Sequence, residues 1–490
     1  MKLGALAQAA GIALTEGEQT QVTGFAIDNR KVAPGTVFGA FQGAKFNGED
    51  FIPAAVEAGA VAVVARPEAR VSGALHIADP EPRRAFAHLA AAFFTPVPRH
   101  IVAVTGTNGK TSCVEMTRQI WRMCGERAAS IGTLGVTTPD ESVSTGLTTP
   151  DIVSFLSNMS GLAREGVTHV AYEASSHGLD QFRNEGVPVT AGAFTNFSRD
   201  HLDYHGSMEA YFEAKMRLFD EVLEPGAAAI VWHGDDDSEW TAKAIEHAEA
   251  RGLKVQTVGP RGGFITLKER TPTQLGQMLE IEHEGASCTI KLPLIGAYQA
   301  ANALTACALA IATGASPSQV FDATGRLQPV RGRLERAVIT AQGAPVYVDY
   351  AHTPDALEAA IAALRPHVEG KLITVFGAGG DRDQGKRAAM GAAAANGSEL
   401  VIVTDDNPRG EDPATIRAAV LAGAPDAHEV ADRRDAIAEA IRQANAEDIV
   451  LVAGKGHEQG QIIGSGENMR VLPFDDVQVA RECAAAEARA

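Results

Sequence analysis

Cysteine is scarce in this chain: Cys113, Cys124, Cys288, Cys307 and Cys483 make five, an odd number with no C-x-x-C spacing. That excludes a disulfide scaffold, offers no structural zinc pattern, and suits a reducing cytoplasm. Long apolar runs are missing as well, and no stretch approaches the roughly 18 residues of a membrane span. The apolar start, residues 3–14, is broken by Gln8 and rich in Ala and Gly. It reads as a short amphipathic helix of the mature protein rather than as a secretory leader. Positive charge is in short supply, with 43 Lys and Arg against 61 Asp and Glu, a formal charge of −18. Neither nucleic acid nor a membrane surface is therefore expected as a partner, and an anionic substrate would need locally placed cations or metal ions.

Glycine is plentiful, at 49 residues, and aromatics make up 6%. That composition fits folds with many tight strand-to-helix turns. The 490 residues exceed one ordinary hydrophobic core. Residues 1–97 hold short strand runs at 22–27, 37–40 and 61–64 and end in the linker Thr95-Pro96-Val97-Pro98. Residues 98–328 open on the apolar run Ile101-Val102-Ala103-Val104, with further runs at 170–172, 193–195 and 228–232. Residues 329–490 alternate strand runs at 346–349, 372–376, 400–404 and 449–452 with Ala-rich helices. Strands alternating with helices predict parallel sheets covered on both faces. The expectation is an α/β chain of three domains: an N-terminal one, a central P-loop domain and a C-terminal Rossmann-like domain.

The sharpest local signal is Thr105-Gly106-Thr107-Asn108-Gly109-Lys110-Thr111-Ser112, between an apparent strand and an apparent helix. Backbone N–H groups at a helix start can cradle phosphate oxygens, Lys110 adds a point charge, and Thr111 can ligate Mg²⁺. The usual G-x-x-x-x-G-K-S/T pattern is not met, because Val104 stands at its first Gly position. A carboxylate at a strand end, Glu173, is a natural partner of an ion held by Thr111. Taken alone, Lys215 in Tyr211-Phe212-Glu213-Ala214-Lys215 reads as a solvated helix lysine and His201 as a structural hydrogen-bond donor.

This shortened loop resembles that of the Mur ligases and their relative folylpolyglutamate synthetase. Five further segments match in order. Residues 172–183 resemble E-x-S-S-H-x-L-x-Q-x-R, and residues 195–206 resemble T-N-x-x-x-D-H-L-D-x-H. Asp349-Tyr350-Ala351-His352-Thr353-Pro354 resembles D-Y-A-H-x-P, followed by the Gly-rich residues 377–386 and by Asp406-Asn407-Pro408-Arg409. One motif would be weak; six in order over all three segments identify a member of the Mur ligase family.

The resemblance implies an ATP-dependent amide ligase of peptidoglycan synthesis, in the cytoplasm. Its substrates would be UDP-N-acetylmuramoyl-L-alanyl-D-glutamate, meso-2,6-diaminopimelate and ATP. Mg²⁺ would assist, and CO₂ would be held as a carbamate on Lys215. Gly106, Thr107, Asn108, Gly109, Lys110, Thr111 and Ser112 would hold the phosphates, with Asn302 and Arg333 on the nucleotide. Gln299 stands where the family usually has Asn, and carries no assigned role. Thr111, Glu173, His201 and the Lys215 carbamate would hold Mg²⁺. Lys110, Lys215, His201 and His352 would be catalytic, with His352 and Asp349 the candidates for taking the proton of the amine.

Ile27, Asn29, Ala44, Lys45 and Phe46 would bind uridine, Asn29 replacing the family's Ser. Thr148, Thr149, Ser175, Gln181 and Arg183 would hold the diphosphate-linked sugar and peptide. Arg382, Asp406, Asn407, Pro408, Arg409, Gly454 and Glu458 would bind the amino acid. The planar fork of Arg409 suits the distal carboxylate that diaminopimelate has and lysine lacks. Closure of the C-terminal domain over the reacting groups would exclude water. Two rivals stay open: another amide ligase of the superfamily, adding L-lysine or acting on folates, and a P-loop ATPase that is no ligase.

Overall fold

The computed structural model describes every residue except 44–45, 139–140, 144–147, 237, 274–275, 382 and 490, and of residues 142 and 467 the backbone alone. The chain forms two compact units, Met1–Phe264 with Thr305–Val320, and Ile265–Leu304 with Phe321–Ala490.

The first unit holds two sheets. Strands Gly24–Ala26, Thr36–Gly39, Ala60–Ala65 and Leu75–Ala78 pair in parallel in that order. Helix Leu3–Ala9 buries Leu3, Leu6 and Ala7, the stripe expected of the amphipathic start. Helix Pro82–Phe93 starts on a proline, whose missing N–H would be unpaired there anyway. It lays Phe86 and Leu89 on the sheet, where Phe86 meets Phe25 and Phe41 edge-on. One apolar cluster holds residues from Leu3 to Leu253, and a smaller one with Ala26, Phe38 and Ile52 lies in the same unit.

In the second sheet of this unit the parallel strands lie in the order Lys254–Gly259, Leu223–Trp232, Val189–Phe194, His100–Thr105, His169–Glu173 and Ala128–Gly132. Ile101 to Val104 are fully buried, which is why this central strand is an unbroken apolar run. Its C-terminal end lies between those of Val189–Phe194 and His169–Glu173. Loops leaving three adjacent strands therefore meet there, the place where open α/β sheets bind ligands.

The second unit contains an element absent from the sequence reading. Ile265–Thr273, Gly276–His283 and Ala286–Leu292 form an antiparallel meander. Charged residues such as Lys268, Glu280 and Lys291 on these strands obscure the apolar signal of Ile265, Leu279, Ile281 and Ile290. The other sheet has the order Glu335–Ile339, Pro345–Asp349, Ile449–Ala453, Leu372–Phe376, Leu400–Val403 and His428–Glu429. Only its first strand is antiparallel. Helices Pro354–Leu364, Arg387–Gly397 and Pro413–Leu421 pack on one face and Arg433–Gln443 and Asp476–Glu487 on the other. No helix among the described residues is long and apolar enough to cross a membrane.

Candidate active site

Gly106 leaves its strand at φ +138° and Gly109 enters helix Lys110–Met123 at φ +87°, both in the region that favours glycine. A Cβ at Gly106 would lie 2.0 Å from Thr195 Oγ1. The loop is braced by the segment that follows the neighbouring strand. Thr107 N donates to Asn196 O, Asn108 N to Asn196 Oδ1 (2.9 Å), and Thr195 Oγ1 to Asn108 O (2.6 Å). Ser198 N donates to Thr107 Oγ1 at 3.0 Å. The T-N-F-S stretch, matched by its letters alone, is thus the scaffold of the phosphate loop.

Lys110 Nζ folds over the loop and donates to Gly106 O (2.9 Å) and Thr107 O (2.8 Å). Lys215 Nζ reaches the same Gly106 O at 2.7 Å and lies 4.3 Å above the ring of Tyr211, one helical turn earlier. Lys215 is 1% exposed, so it is no solvated surface lysine. Burial, and then the nearby charge of Lys110, hold its proton affinity well below the usual lysine range.

Glu173 ends the strand beside the loop and is buried. Its Oε2 accepts from Thr111 Oγ1 (3.0 Å) and Thr133 Oγ1 (3.2 Å), and its Oε1 from Thr133 N (2.7 Å). Gly132 makes room for it, since a Cβ there would meet Oε1 at 2.2 Å. A hydroxyl and a carboxylate in hydrogen-bond contact beside a phosphate loop are hard oxygen donors, a set that fits Mg²⁺. His201 adopts φ +52°, and its ring centroid is 4.9 Å from that of His177.

The residues assigned to sugar and peptide form one network attached to Glu173. Thr149 Oγ1 donates to Glu173 O at 2.8 Å and lies 2.9 Å from Ser175 Oγ. Arg183 donates to Thr149 O (3.0 Å) and to Gln181 Oε1 (2.7 Å), and the hydroxyls of Thr133 and Thr148 lie 3.2 Å apart. Gln181 Nε2 continues to Tyr204 OH, which donates to Asp180. A cavity of about 780 Å³ in the same unit is lined by Ile27, Asn29 and Phe46. Phe25, Phe41, Arg83 and Ser154 also line it and went unassigned in the sequence. Ala44 and Lys45 lie outside the described residues.

Two groups form in the second unit, at the carboxyl ends of its parallel strands. In the first, Gln299 links the two nucleotide candidates: its Nε2 donates to Arg333 O (3.0 Å) and its Oε1 accepts from Asn302 Nδ2 (3.4 Å). The Arg333 guanidinium lies 4.4 Å over the Tyr350 ring, which contacts His352 and His457. Asp349 accepts from Leu334 N (2.7 Å) and Ala351 N (2.8 Å), so it shapes the two loops that carry Arg333 and His352. His352 Nδ1 sits 2.9 Å from Tyr350 O, which sets the tautomer protonated at Nδ1.

The second group is Asp406, Asn407, Pro408, Arg409, Gly454 and Glu458. Gly380 packs so closely that a Cβ there would lie 1.9 Å from Pro408 O. Arg409, at φ +50°, donates from Nη1 to Gly380 O at 2.9 Å. Among the described residues it meets no carboxylate. Asn407 Nδ2 donates to Glu458 Oε2 at 2.8 Å. Arg382 lies outside the described residues. Among the described residues, five of the six non-glycine residues at positive φ (Phe182, His201, Leu334, Asp381, Arg409) are candidate residues or their chain neighbours. Such backbone is costly and concentrates where a site over-determines it.

Three family models match the chain in order. They are the Mur ligase family catalytic domain over residues 21–107, the Mur ligase middle domain over 104–310, and the Mur ligase glutamate ligase domain over 332–456. A UDP-N-acetylmuramoyl-L-alanyl-D-glutamate--2,6-diaminopimelate ligase of Zymomonas mobilis is 59% identical over 481 residues, covering 98% of both chains. A solved structure of a ligase of the same name is 33% identical, covers 100% of both chains and has a TM-score of 0.72. The MurF ligase of Thermotoga maritima in complex with ADP, 20% identical over 96% of this chain and 99% of that one with a TM-score of 0.63, shares the fold.

Proposed function

The chain belongs to the Mur ligase family, and on that premise we propose that it joins meso-diaminopimelate to UDP-N-acetylmuramoyl-L-alanyl-D-glutamate at the expense of ATP, in peptidoglycan synthesis. The observation that carries the choice of amino acid is the Arg409 fork, two residues along the chain from Asn407, whose amide donates to Glu458: a cation and an anion suited to a carboxylate and an ammonium on one carbon. The close relatives bearing that ligase name support it. Use of ATP assigns the reaction to the cytoplasm. The proposed domains are residues 1–97 for the UDP substrate, 98–328 for ATP and 329–490 for the amino acid.

An oxygen of the D-glutamate carboxylate attacks the γ-phosphorus, the bond to the ADP oxygen breaks, and an acyl phosphate forms. The amine then adds to the acyl carbon, inorganic phosphate leaves and one proton is lost. In the loop from Gly106 to Ser112 the amides other than those of Thr107 and Asn108, which donate to Asn196, are assigned to the phosphates, and Lys110 to neutralising the developing charge. Thr111, Glu173, His201 and a carbamylated Lys215 would hold Mg²⁺, which supplies charge stabilisation at the phosphoryl oxygens. Carbamylation is the addition of the neutral Lys215 amine to CO₂ with release of one proton. Two lysines directed at one carbonyl oxygen, one of them buried, favour that neutral amine. Asn302 and Arg333 are assigned to the nucleotide. Ile27, Asn29 and Phe46 with the 780 Å³ cavity are assigned to uridine, and the Thr148–Thr149–Ser175–Gln181–Arg183 network to sugar and peptide. His352 and Asp349 are the candidates for accepting the proton of the amine.

The test is phosphate release from ATP with the UDP-muramoyl dipeptide, over a panel of amino acids. Release that requires both the dipeptide and meso-diaminopimelate is expected. Release without either excludes a ligase, and equal use of L-lysine excludes the proposed specificity.

A further inference from the structure

Lys455 follows Gly454 at the end of strand Ile449–Ala453, and its side chain is 0% exposed. Its Nζ lies 2.7 Å from Asn407 Oδ1, 3.4 Å from Glu458 Oε2 and 3.8 Å from Asp406 Oδ1. We propose that Lys455 is the positioning residue of the amino-acid pocket, fixing the polarity with which Asn407 and Glu458 meet the distal end of the substrate. The proposal rests on the reading that this pocket takes meso-diaminopimelate.

An ammonium only donates, so the amide atom facing Lys455 must be the oxygen. Ile462 N donates to that same Oδ1 at 2.9 Å, and both of its lone pairs are then engaged. Nδ2 points the other way, giving one hydrogen to Glu458 Oε2 at 2.8 Å, and its second meets no acceptor among the described residues. Asn407 therefore offers a ligand a donor and nothing else. Glu458 Oε2 receives both Asn407 and Lys455, while Oε1 accepts no hydrogen bond among the described residues. The other buried cation near this loop, Arg433, is paired with Asp476 at 2.7 Å. Lys455 thus faces two carboxylates, Asp406 and Glu458, and with Arg409 assigned to the substrate carboxylate one of those negative charges is left for a substrate ammonium.

The pocket so set presents an N–H for a carboxylate and a carboxylate oxygen for an ammonium. An end bearing both groups satisfies it. The distal end of L-lysine brings an ammonium alone and leaves the Asn407 donor unmet. Without Lys455 the amide oxygen keeps Ile462 N alone, and Asp406 and Glu458 lose the ammonium they share, so the carboxylate side of the recognition weakens.

The experiment is steady-state kinetics of full-length Lys455→Met, with Asn407→Leu and the double variant, on meso-diaminopimelate and L-lysine. Expected for Lys455→Met is a rise in the diaminopimelate KM of about thirtyfold or more, with kcat within about threefold and the KM values for ATP and the UDP substrate within about twofold. Preference for diaminopimelate over lysine should fall about tenfold. The double variant should be no worse than Asn407→Leu alone, since both changes remove one recognition element. A purely structural Lys455 would raise all three KM values together and add to Asn407→Leu; that result overturns the proposal, as does an unchanged diaminopimelate KM. Should Lys455→Met not fold, Lys455→Leu carries the same cycle. Failure of both to fold assigns Lys455 to the core and ends the proposal. A wild-type enzyme indifferent to meso-diaminopimelate would instead remove the reading of the pocket itself.

Discussion

At Arg409 a guanidinium is held by the carbonyl oxygens of Gly380 and Asn407 while its remaining donors have no carboxylate among the described residues. Lysine in the pocket would leave those donors desolvated and unmet, whereas the distal carboxylate of diaminopimelate would pair with them. Arg409→Ala should cost on the order of a thousandfold in kcat/KM for diaminopimelate, about 4 kcal/mol. It should also narrow the gap to lysine; a variant that keeps full selectivity refutes the role. Lys215 poses a different question, because its buried amine sits with Lys110 on a single carbonyl oxygen. Lys215→Ala is expected to lose activity by about a hundredfold or more and to regain part of it with short-chain carboxylates that stand in for the carbamate. An intact mass showing unmodified Lys215 in a fully active enzyme would sink the carbamate. Single letters could nominate both residues only through the resemblance. A lysine on a helix has no sequence mark of burial, and Lys455, equally buried, stood between the assigned Gly454 and Glu458 without a role.

Among the elements, the phosphate loop depends on its neighbour. Its shape comes from Thr195, Asn196 and Ser198 on the adjoining strand end, contacts across about 90 positions of sequence. Gly106→Ala would drive a Cβ to 2.0 Å from Thr195 Oγ1 at a φ of +138°. Nucleotide binding, followed by fluorescence of a labelled ATP analogue, should weaken by about a hundredfold. Binding of the UDP substrate, followed by calorimetry, should be nearly unaffected. Normal nucleotide affinity in that variant would show the loop to be less constrained than its contacts imply. Strand and helix runs with an apolar face were legible: residues 101–104, 372–376 and 449–452 all lie within observed strands. The meander from Ile265 to Leu292 was not, because its exposed face is charged and the pairing of its last two strands is set by the Glu284-Gly285 turn rather than by composition.

In the whole molecule, the residues assigned to the UDP substrate all belong to the first unit and those assigned to the amino acid to the second. Hydrogen exchange should register that division. The UDP-muramoyl dipeptide alone should slow exchange around residues 24–51 and 148–183, and meso-diaminopimelate should slow it around 406–409 and 454–464. Protection of the amino-acid segments by the dipeptide alone would contradict the assignment. Much of this was written in the chain. Composition set the α/β class, apolar runs set the buried strands, and six ordered motifs set the family. Those signals are local, since strand burial and glycine-dependent turns leave their mark on consecutive residues. Only the fold decided that Lys110 and Lys215 share the Gly106 carbonyl, that Glu173 joins Thr111 to the Thr149–Arg183 network, and that Gln299 links Asn302 to Arg333. The physical reason is that hydrogen-bond partners and desolvation are set by groups distant in sequence, which converge only when the strands that carry them lie side by side.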